Sequence, residues 1–119
     1  MVTILFYETE GGSIPVEDFI RSLPVKHGAK VYWEIELLKE HGTGLKEPYV
    51  KQIQGERYRG LWELRIRSGG DASRIIYFMV SGNTVVLLHG FMKKALKTPR
   101  KELETALARK DDHLKRSSK

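Results

Sequence analysis

Leu61-Trp62-Glu63-Leu64-Arg65-Ile66-Arg67 is a run in which apolar and charged side chains alternate from Trp62 onward. Successive side chains of a β-strand point to opposite faces of the sheet, so this alternation predicts a strand with one buried face and one charged face. The charged face would carry Glu63, Arg65 and Arg67. A guanidinium-rich face on a small basic protein suits a ligand with many phosphates, and RNA is the first ligand that we expect.

The composition is that of one soluble globular domain with a basic surface. The chain has 119 residues, of which 40% are hydrophobic and 30% charged, and this length can bury a modest core. Its formal net charge is +6 at pH 7. An excess of positive charge favours an acidic partner, either nucleic acid or an acidic protein segment.

Cysteine, histidine and hydropathy patterns exclude several classes of protein. No cysteine is present, which excludes disulfides and thiolate metal sites and predicts a reducing cytoplasm. The four histidines have none of the tight spacings that bind zinc, so we expect no metal and no other cofactor. No apolar run approaches the roughly 20 residues of a membrane span, and Met1 leads directly into a strand pattern. We therefore expect no membrane partner and no signal peptide.

The order of helix and strand patterns is that of an α+β protein. The predicted elements are a strand at 2–7, helices at 15–23 and about 26–41, strands at about 57–67, 73–80 and 84–91, and a final helix that Thr98-Pro99 caps and opens. Between them, the loop 43–54 has a possible short extended piece around Val50. We expect an antiparallel β-sheet of about four strands, with the two N-terminal helices packed on one face and a C-terminal helix. Residues 1–110 would form one domain, and residues 111–119 a polar, frayed tail.

A turn between the last two strands sets their expected register. Gly82-Asn83 tolerates positive φ and fits a two-residue hairpin turn. This turn would place Ile76 opposite His89 on one face, and would put Tyr77 and Leu88 together on the other face.

Pairing of the first two long strands would gather the basic residues. If Arg67 lies opposite Arg74 across the loop 68–73, then Arg65, Arg67, Arg74 and His89 share one surface. A slip of one residue would invert this assignment.

Five motifs, taken in order, resemble one known family. They are Gly12-Ser13-Ile14-Pro15-Val16 with Phe19, Arg59-Gly60-Leu61-Trp62-Glu63-Leu64-Arg65-Ile66, Arg74-Ile75-Ile76-Tyr77, Leu87-Leu88-His89-Gly90-Phe91-Met92-Lys93-Lys94, and Thr98-Pro99. The set resembles the phage-derived, HigB-like branch of the RelE/ParE toxin superfamily. The resemblance covers nearly the whole chain, up to about Lys110.

This resemblance implies a toxin of a type II toxin–antitoxin system. RelE- and HigB-like members enter the ribosomal A site and cleave mRNA there, by metal-independent attack of a 2′-hydroxyl group. A small cognate antitoxin neutralises them, and in this branch it usually carries a helix-turn-helix DNA-binding domain. The implied partners are therefore the antitoxin, the ribosome and mRNA, with operator DNA bound only through the antitoxin.

The resemblance and the chemistry of RNA cleavage together give the candidate site residues. Arg65, Arg74 and Lys94 match basic positions of the family and would stabilise charge at the phosphorane. His89 is the first candidate for proton transfer because histidine titrates near neutrality, and Glu63 is the second because neighbouring arginines favour its charged form. The residues expected to bind RNA phosphates are Arg67, Lys93, Lys97, Arg100 and Lys101.

Two departures from the best-known RelE members leave the activity open. Glu63 stands where they have a lysine, and no tyrosine in the C-terminal helix matches theirs. The alternative is a non-nucleolytic toxin of the same fold, such as a ParE-like gyrase poison, or a basic protein that acts only with its antitoxin. A structural reading is also open, in which His89 is simply hydrogen-bonded, Glu63 pairs with Arg65, Arg67 or Lys51, and the arginines are solubilising residues of an exposed strand face. If the arginines instead form the site, we expect Arg65→Ala and Arg74→Ala to relieve toxicity and leave the fold intact, because substitutions on an exposed strand face usually cost little stability.

Overall fold

The computed structural model describes residues 1–118 and builds one β-sheet with helices on both faces. The strands are β1 Thr3–Phe6, β2 Val50–Gln52, β3 Leu61–Ser68, β4 Asp71–Val80 and β5 Thr84–Met92, and the α-helices are α1 Pro15–Arg21, α2 Val25–His41 and α3 Arg100–Ser117. The predicted α+β class is confirmed, with five strands in place of about four. Strand β2 is the short extended piece expected around Val50.

The sheet is mixed, not wholly antiparallel. Its strand order is β1-β5-β4-β3-β2, and β1 runs parallel to β5 while the other neighbours are antiparallel. Helices α1 and α2 carry the chain from β1 at one edge of the sheet to β2 at the other edge. A side-chain pattern reports which face of a strand is buried but not its neighbour or direction, so the parallel pair was not predictable from it.

Two hydrophobic cores form, one on each face of the sheet. Helices α1 and α2 pack on the face that carries Leu64 and Ile66, as predicted. Helix α3 packs on the opposite face, where its buried Ala106 joins Ile76 and Leu88. Contact between α1 and β5 depends on a glycine, because a Cβ at Gly90 would overlap the ring of Phe19.

Two deviations at the β4–β5 hairpin cancel each other. The turn contains three residues, 81–83, so Val80 and not Ser81 lies opposite Thr84. A bulge at Leu88 then restores the register, and Ile76 lies opposite His89 as predicted. Leu88 itself moves to the α3 face, so its predicted grouping with Tyr77 is wrong.

The β3–β4 hairpin has a two-residue loop, 69–70, in place of the predicted loop 68–73, and its register is shifted by two residues. Ser68 pairs with Asp71, and Arg65, not Arg67, lies opposite Arg74. A shift of two residues leaves every side chain on the same face, because side chains alternate with a period of two. The basic residues therefore share one face, as predicted, although the predicted pairing of Arg67 with Arg74 was wrong.

Helix α3 includes most of the segment that was predicted to be a frayed tail. It extends to Ser117, and Asp112 accepts a hydrogen bond of 2.7 Å from the Tyr7 hydroxyl. Arg116 binds the same carboxylate at 2.7 Å and also donates to the carbonyl oxygen of Glu8. These contacts with the chain just after β1 fix the C-terminal part of α3 on the protein, although its sequence is polar. Lys119, the last residue of the predicted tail, lies outside the described residues. No helix within residues 1–118 is long and apolar enough to cross a membrane.

Candidate nucleic-acid interface

Four basic residues lie together at the end of the sheet where β3 ends, β4 begins and β5 ends. Arg65 lies directly opposite Arg74, and Arg67 lies opposite Ala72, whose carbonyl oxygen accepts a hydrogen bond from the Lys93 backbone. We call Arg65, Arg67, Arg74 and Lys93 the basic cluster. Arg65, Arg67 and Arg74 alternate onto the face that α3 covers further along the strands, and Lys93 directly follows β5.

Glu63 is the only acidic residue of β3 and is buried beside the basic cluster. Its Oε1 lies 3.6 Å from Arg65 Nε and 3.5 Å from Arg74 Nε. Its Oε2 accepts a hydrogen bond of 2.7 Å from the Thr98 hydroxyl. Glu63 therefore fixes two guanidinium groups and ties the segment after β5 to the sheet.

Arg74 is buried, with 2% of its surface exposed, so the expectation of an exposed strand-face arginine is wrong for this residue. Phe91 lies opposite Arg74 on β5 and is itself buried. Burial lowers the pKa of Arg74 below its ordinary value, and the charge of Glu63 opposes this shift. Arg65 remains partly exposed at 27% of its side chain and is the more accessible of the two arginines.

The two lysines after β5 have different surroundings. Lys93 is partly buried and its Nζ donates a hydrogen bond of 2.7 Å to the Leu96 carbonyl oxygen. Burial lowers the pKa of Lys93, and the positive charge of Arg74 lowers it further. Lys94 is exposed. The structure thus joins Lys93 to the arginines, whereas the sequence favoured Lys94 for that position.

His89 shares the face of the basic cluster but lies beneath α3. Its Nε2 is 2.8 Å from Glu102 Oε1, and Arg109 Nη1 lies 3.1 Å from its Nδ1. Because a guanidinium can only donate, Nδ1 accepts and the ring is the neutral tautomer that donates from Nε2. Burial under α3 lowers the pKa of His89, and the hydrogen bond to Glu102 opposes this effect. Both ring nitrogens are therefore engaged in joining α3 to the sheet.

A cleft of about 700 Å³ opens beside Glu63 and Arg65, between the segment after β2 and the start of α3. We call it the main cleft. The cations that line it, besides Arg65, are Lys51, Arg57, Lys97 and Arg100. Of the three basic residues predicted at the start of the final helix, Lys97 and Arg100 line this cleft, while Lys101 is exposed and is not among the lining residues.

Three contributors to this site had no functional role in the sequence prediction, although Lys51 was considered as an ion-pair partner of Glu63. Lys51 lies directly opposite Glu63 on β2, a strand too short to show alternation. Arg57 is fixed in the cleft wall by Glu104 at 2.6 Å, an ion pair that joins distant parts of the chain. Thr98 was expected to cap α3, but Pro99 is the capping residue and the Thr98 hydroxyl binds Glu63 instead.

No group of three or more histidine, cysteine, aspartate or glutamate side chains in residues 1–118 is arranged to hold a metal ion. The described part of the site consists of cations around one buried carboxylate. Such an arrangement can bind phosphates and stabilise negative charge that develops during a reaction.

Comparison with known proteins identifies the family. The family model for Gp49-like phage-derived proteins (DUF891) matches residues 18–111, which include β2 to β5 and the basic cluster. No curated protein matches the chain. Members of this family are typically toxins that pair with an antitoxin. The chain therefore belongs to the Gp49-like family of phage-derived proteins, a family associated with RelE-like toxins of toxin–antitoxin systems.

Proposed function

We propose that the protein is a HigB-like toxin that stops translation by cleaving mRNA on the ribosome, without a metal or other cofactor. The observation that carries this proposal is the pairing of Arg65 and Arg74 with buried Glu63, beside the main cleft that Arg65 and Glu63 line, in a protein from a toxin-associated family. The cleft is lined by cations that suit an RNA backbone.

In this mechanism the 2′-oxygen of the substrate attacks the adjacent phosphorus and loses its proton. The bond from phosphorus to the 5′-oxygen then breaks, the 5′-oxygen takes up a proton, and a 2′,3′-cyclic phosphate remains. Arg65 is partly exposed and donates to the phosphorane oxygens, an interaction of a kind worth about 3 kcal/mol in the transition state. Arg74 and Glu63 are buried and act as positioning residues that hold Arg65.

We assign proton transfer to Lys93. Lys93 follows β5 beside the arginines, where its backbone binds Ala72, and burial with the charge of Arg74 lowers its pKa, which makes it a better proton donor than an ordinary lysine. His89, the first candidate from sequence, fits this role less well because both ring nitrogens bind partners on α3. Glu63, the second candidate, fits less well because each of its carboxylate oxygens already has a partner.

The proposed partner is a small antitoxin with a helix-turn-helix domain, through which operator DNA would be bound. An acidic antitoxin segment would suit the same cationic cleft and would block access of RNA. Inhibition by direct occupation of the cleft therefore needs no further conformational change.

Expression without a partner is the test of this proposal. We expect growth arrest with loss of protein synthesis, and primer extension on cellular mRNA should show new 5′ ends within translated regions. Arg65→Ala should relieve the arrest. Arg59→Ala is its matched control, because Arg59 is exposed and its side chain binds, among residues 1–118, only the nearby Glu56 carboxylate. If DNA replication stops before protein synthesis and mRNA stays intact, the nuclease proposal is wrong and the gyrase alternative replaces it.

A further inference from the structure

A second cleft, of about 340 Å³, lies at the edge of β3 beyond the segment that β2 covers. Helix α2 contributes Lys30 and Glu34 to it, and Tyr49 lies at its side. The three arginines of the basic cluster also line it. The cleft therefore combines one buried carboxylate, one aromatic ring and several cations.

Glu34 is an unusual residue for this position, because only 3% of its surface is exposed. Its Oε2 lies 3.3 Å from Lys30 Nζ, and its Oε1 is buried without a hydrogen-bond partner among residues 1–118. Lys30 is the movable part of this pair, since 35% of its side chain is exposed against 4% for Glu34. A carboxylate that is buried and half-paired carries a free-energy cost, which a purely structural role does not explain.

Unpartnered polar atoms are concentrated around this cleft. Residues 1–118 contain four buried side-chain polar atoms without a hydrogen-bond partner, and three of them belong to residues that line the second cleft. These three are Glu34 Oε1, Arg65 Nε and Arg74 Nε. The two arginine atoms are turned toward Glu63 Oε1, at 3.6 and 3.5 Å, so the acceptor that remains without a donor is Glu34 Oε1, as expected of a site that awaits a ligand with donors.

The chemistry of these groups matches a guanine nucleotide. Guanine has two adjacent donors on its Watson–Crick edge, N1–H and N2–H, and a carboxylate can accept both. Tyr49 is 40% exposed and can stack on the base. The guanidinium groups of Arg65 and Arg67 suit the phosphate.

We propose that the second cleft binds a guanine nucleotide, with Glu34 as the residue that reads the base. Movement of Lys30 toward solvent uncovers the carboxylate for the base edge. Arg65 lines both clefts, so a base held by Glu34 lies next to a phosphate held at the main cleft. This inference rests on the proposed function in one respect: it assigns a guanine preference to the position beside the cleaved phosphate.

Binding of free nucleotides tests the proposal without the ribosome. The full chain, labelled with ¹⁵N, is titrated with guanosine, inosine and adenosine 5′-monophosphates and followed by NMR. Inosine lacks the 2-amino group and adenine lacks both donors at these positions, so we expect guanosine monophosphate to bind at least about tenfold more tightly than adenosine monophosphate, with inosine monophosphate between them. Shifts should concentrate on residues near Glu34 and Tyr49.

Glu34→Gln should lower the affinity for guanosine monophosphate about tenfold and leave that for adenosine monophosphate unchanged. Glu36→Gln is the matched control, because it removes the same charge from an exposed position of the same helix. Equal affinity of the wild type for the three nucleotides overturns the proposal, and so does unchanged binding by a folded Glu34→Gln variant. If that variant does not fold, the wild-type series alone decides. If the protein prefers guanosine monophosphate but leaves mRNA intact, the nucleotide site is supported and the proposed nuclease function is wrong. If the protein cleaves mRNA but shows no nucleotide preference, the nuclease function is supported and the nucleotide site is wrong.

Discussion

Arg65 and Arg74 face each other across two strands, yet their burial gives them different roles. We expect Arg65→Ala to relieve toxicity at a cost of only about 1 kcal/mol in stability, because its side chain is partly exposed and Glu63 keeps its other partners. Arg74→Ala should lower the free energy of unfolding by about 3 kcal/mol or more, because it removes a buried partner of a buried carboxylate. Urea unfolding and growth assays measure the two effects. Equal stability of both variants would contradict the distinction.

Lys93 and Lys94 allow a direct test of the proton-transfer assignment, since they are neighbours with the same chemistry. Lys93→Gln should lower single-turnover cleavage on programmed ribosomes by about two decades, because the general acid or base is lost. Lys94→Gln is the control and should cleave at nearly the wild-type rate, because this side chain is exposed. The opposite ranking would return Lys94 to the site and remove Lys93 from it.

Helix α3 is joined to the sheet by polar contacts as well as by a hydrophobic core, and His89 binds both Glu102 and Arg109 of this helix. Its pKa is lowered from the ordinary 6.5, mainly by burial. The unfolded chain therefore takes up a proton as pH falls through about 6.5, while the folded protein takes it up only at a lower pH. The stability associated with neutral His89 is complete above about pH 6.5 and is lost as pH falls toward the lowered pKa.

We expect this dependence to disappear in His89→Gln. The free energy of unfolding, measured in urea at about pH 7.5 and about pH 5.5, should fall with acid more steeply in the wild type than in this variant. His41→Gln is the control because His41 is exposed at the end of α2. Parallel pH curves for the wild type and His89→Gln would show that His89 does not cause the acid sensitivity.

The charge distribution over the molecule predicts how binding responds to salt. Lys97 and Arg100 line the main cleft, so neutralising both should reduce the slope of log affinity for the ribosome against log salt by roughly 0.7 to 0.9 for each charge. Lys101 is exposed and is not among the residues that line the cleft, so Lys101→Gln should leave the slope nearly unchanged. A filter-binding series over salt concentration measures the slopes. Equal effects of the three charges would indicate a diffuse basic surface in place of a cleft.

The amino-acid sequence alone was sufficient to predict the α+β class, the packing of the two N-terminal helices on one face of the sheet, and the grouping of basic side chains on one face. Periodicity is a local property, and most predicted faces are correct although the loop lengths were wrong. The two-residue shift at Arg65 leaves the faces unchanged, and the bulge at Leu88 restores the register at His89 while Leu88 itself changes face. Only the tertiary structure decided which charged groups are buried. Glu34, Glu63 and Arg74 look like ordinary surface residues in sequence, because whether a charge is exposed depends on what packs over it from distant parts of the chain. The proposed sites rest on those burials, so the sequence located the basic face and the fold determined its chemistry.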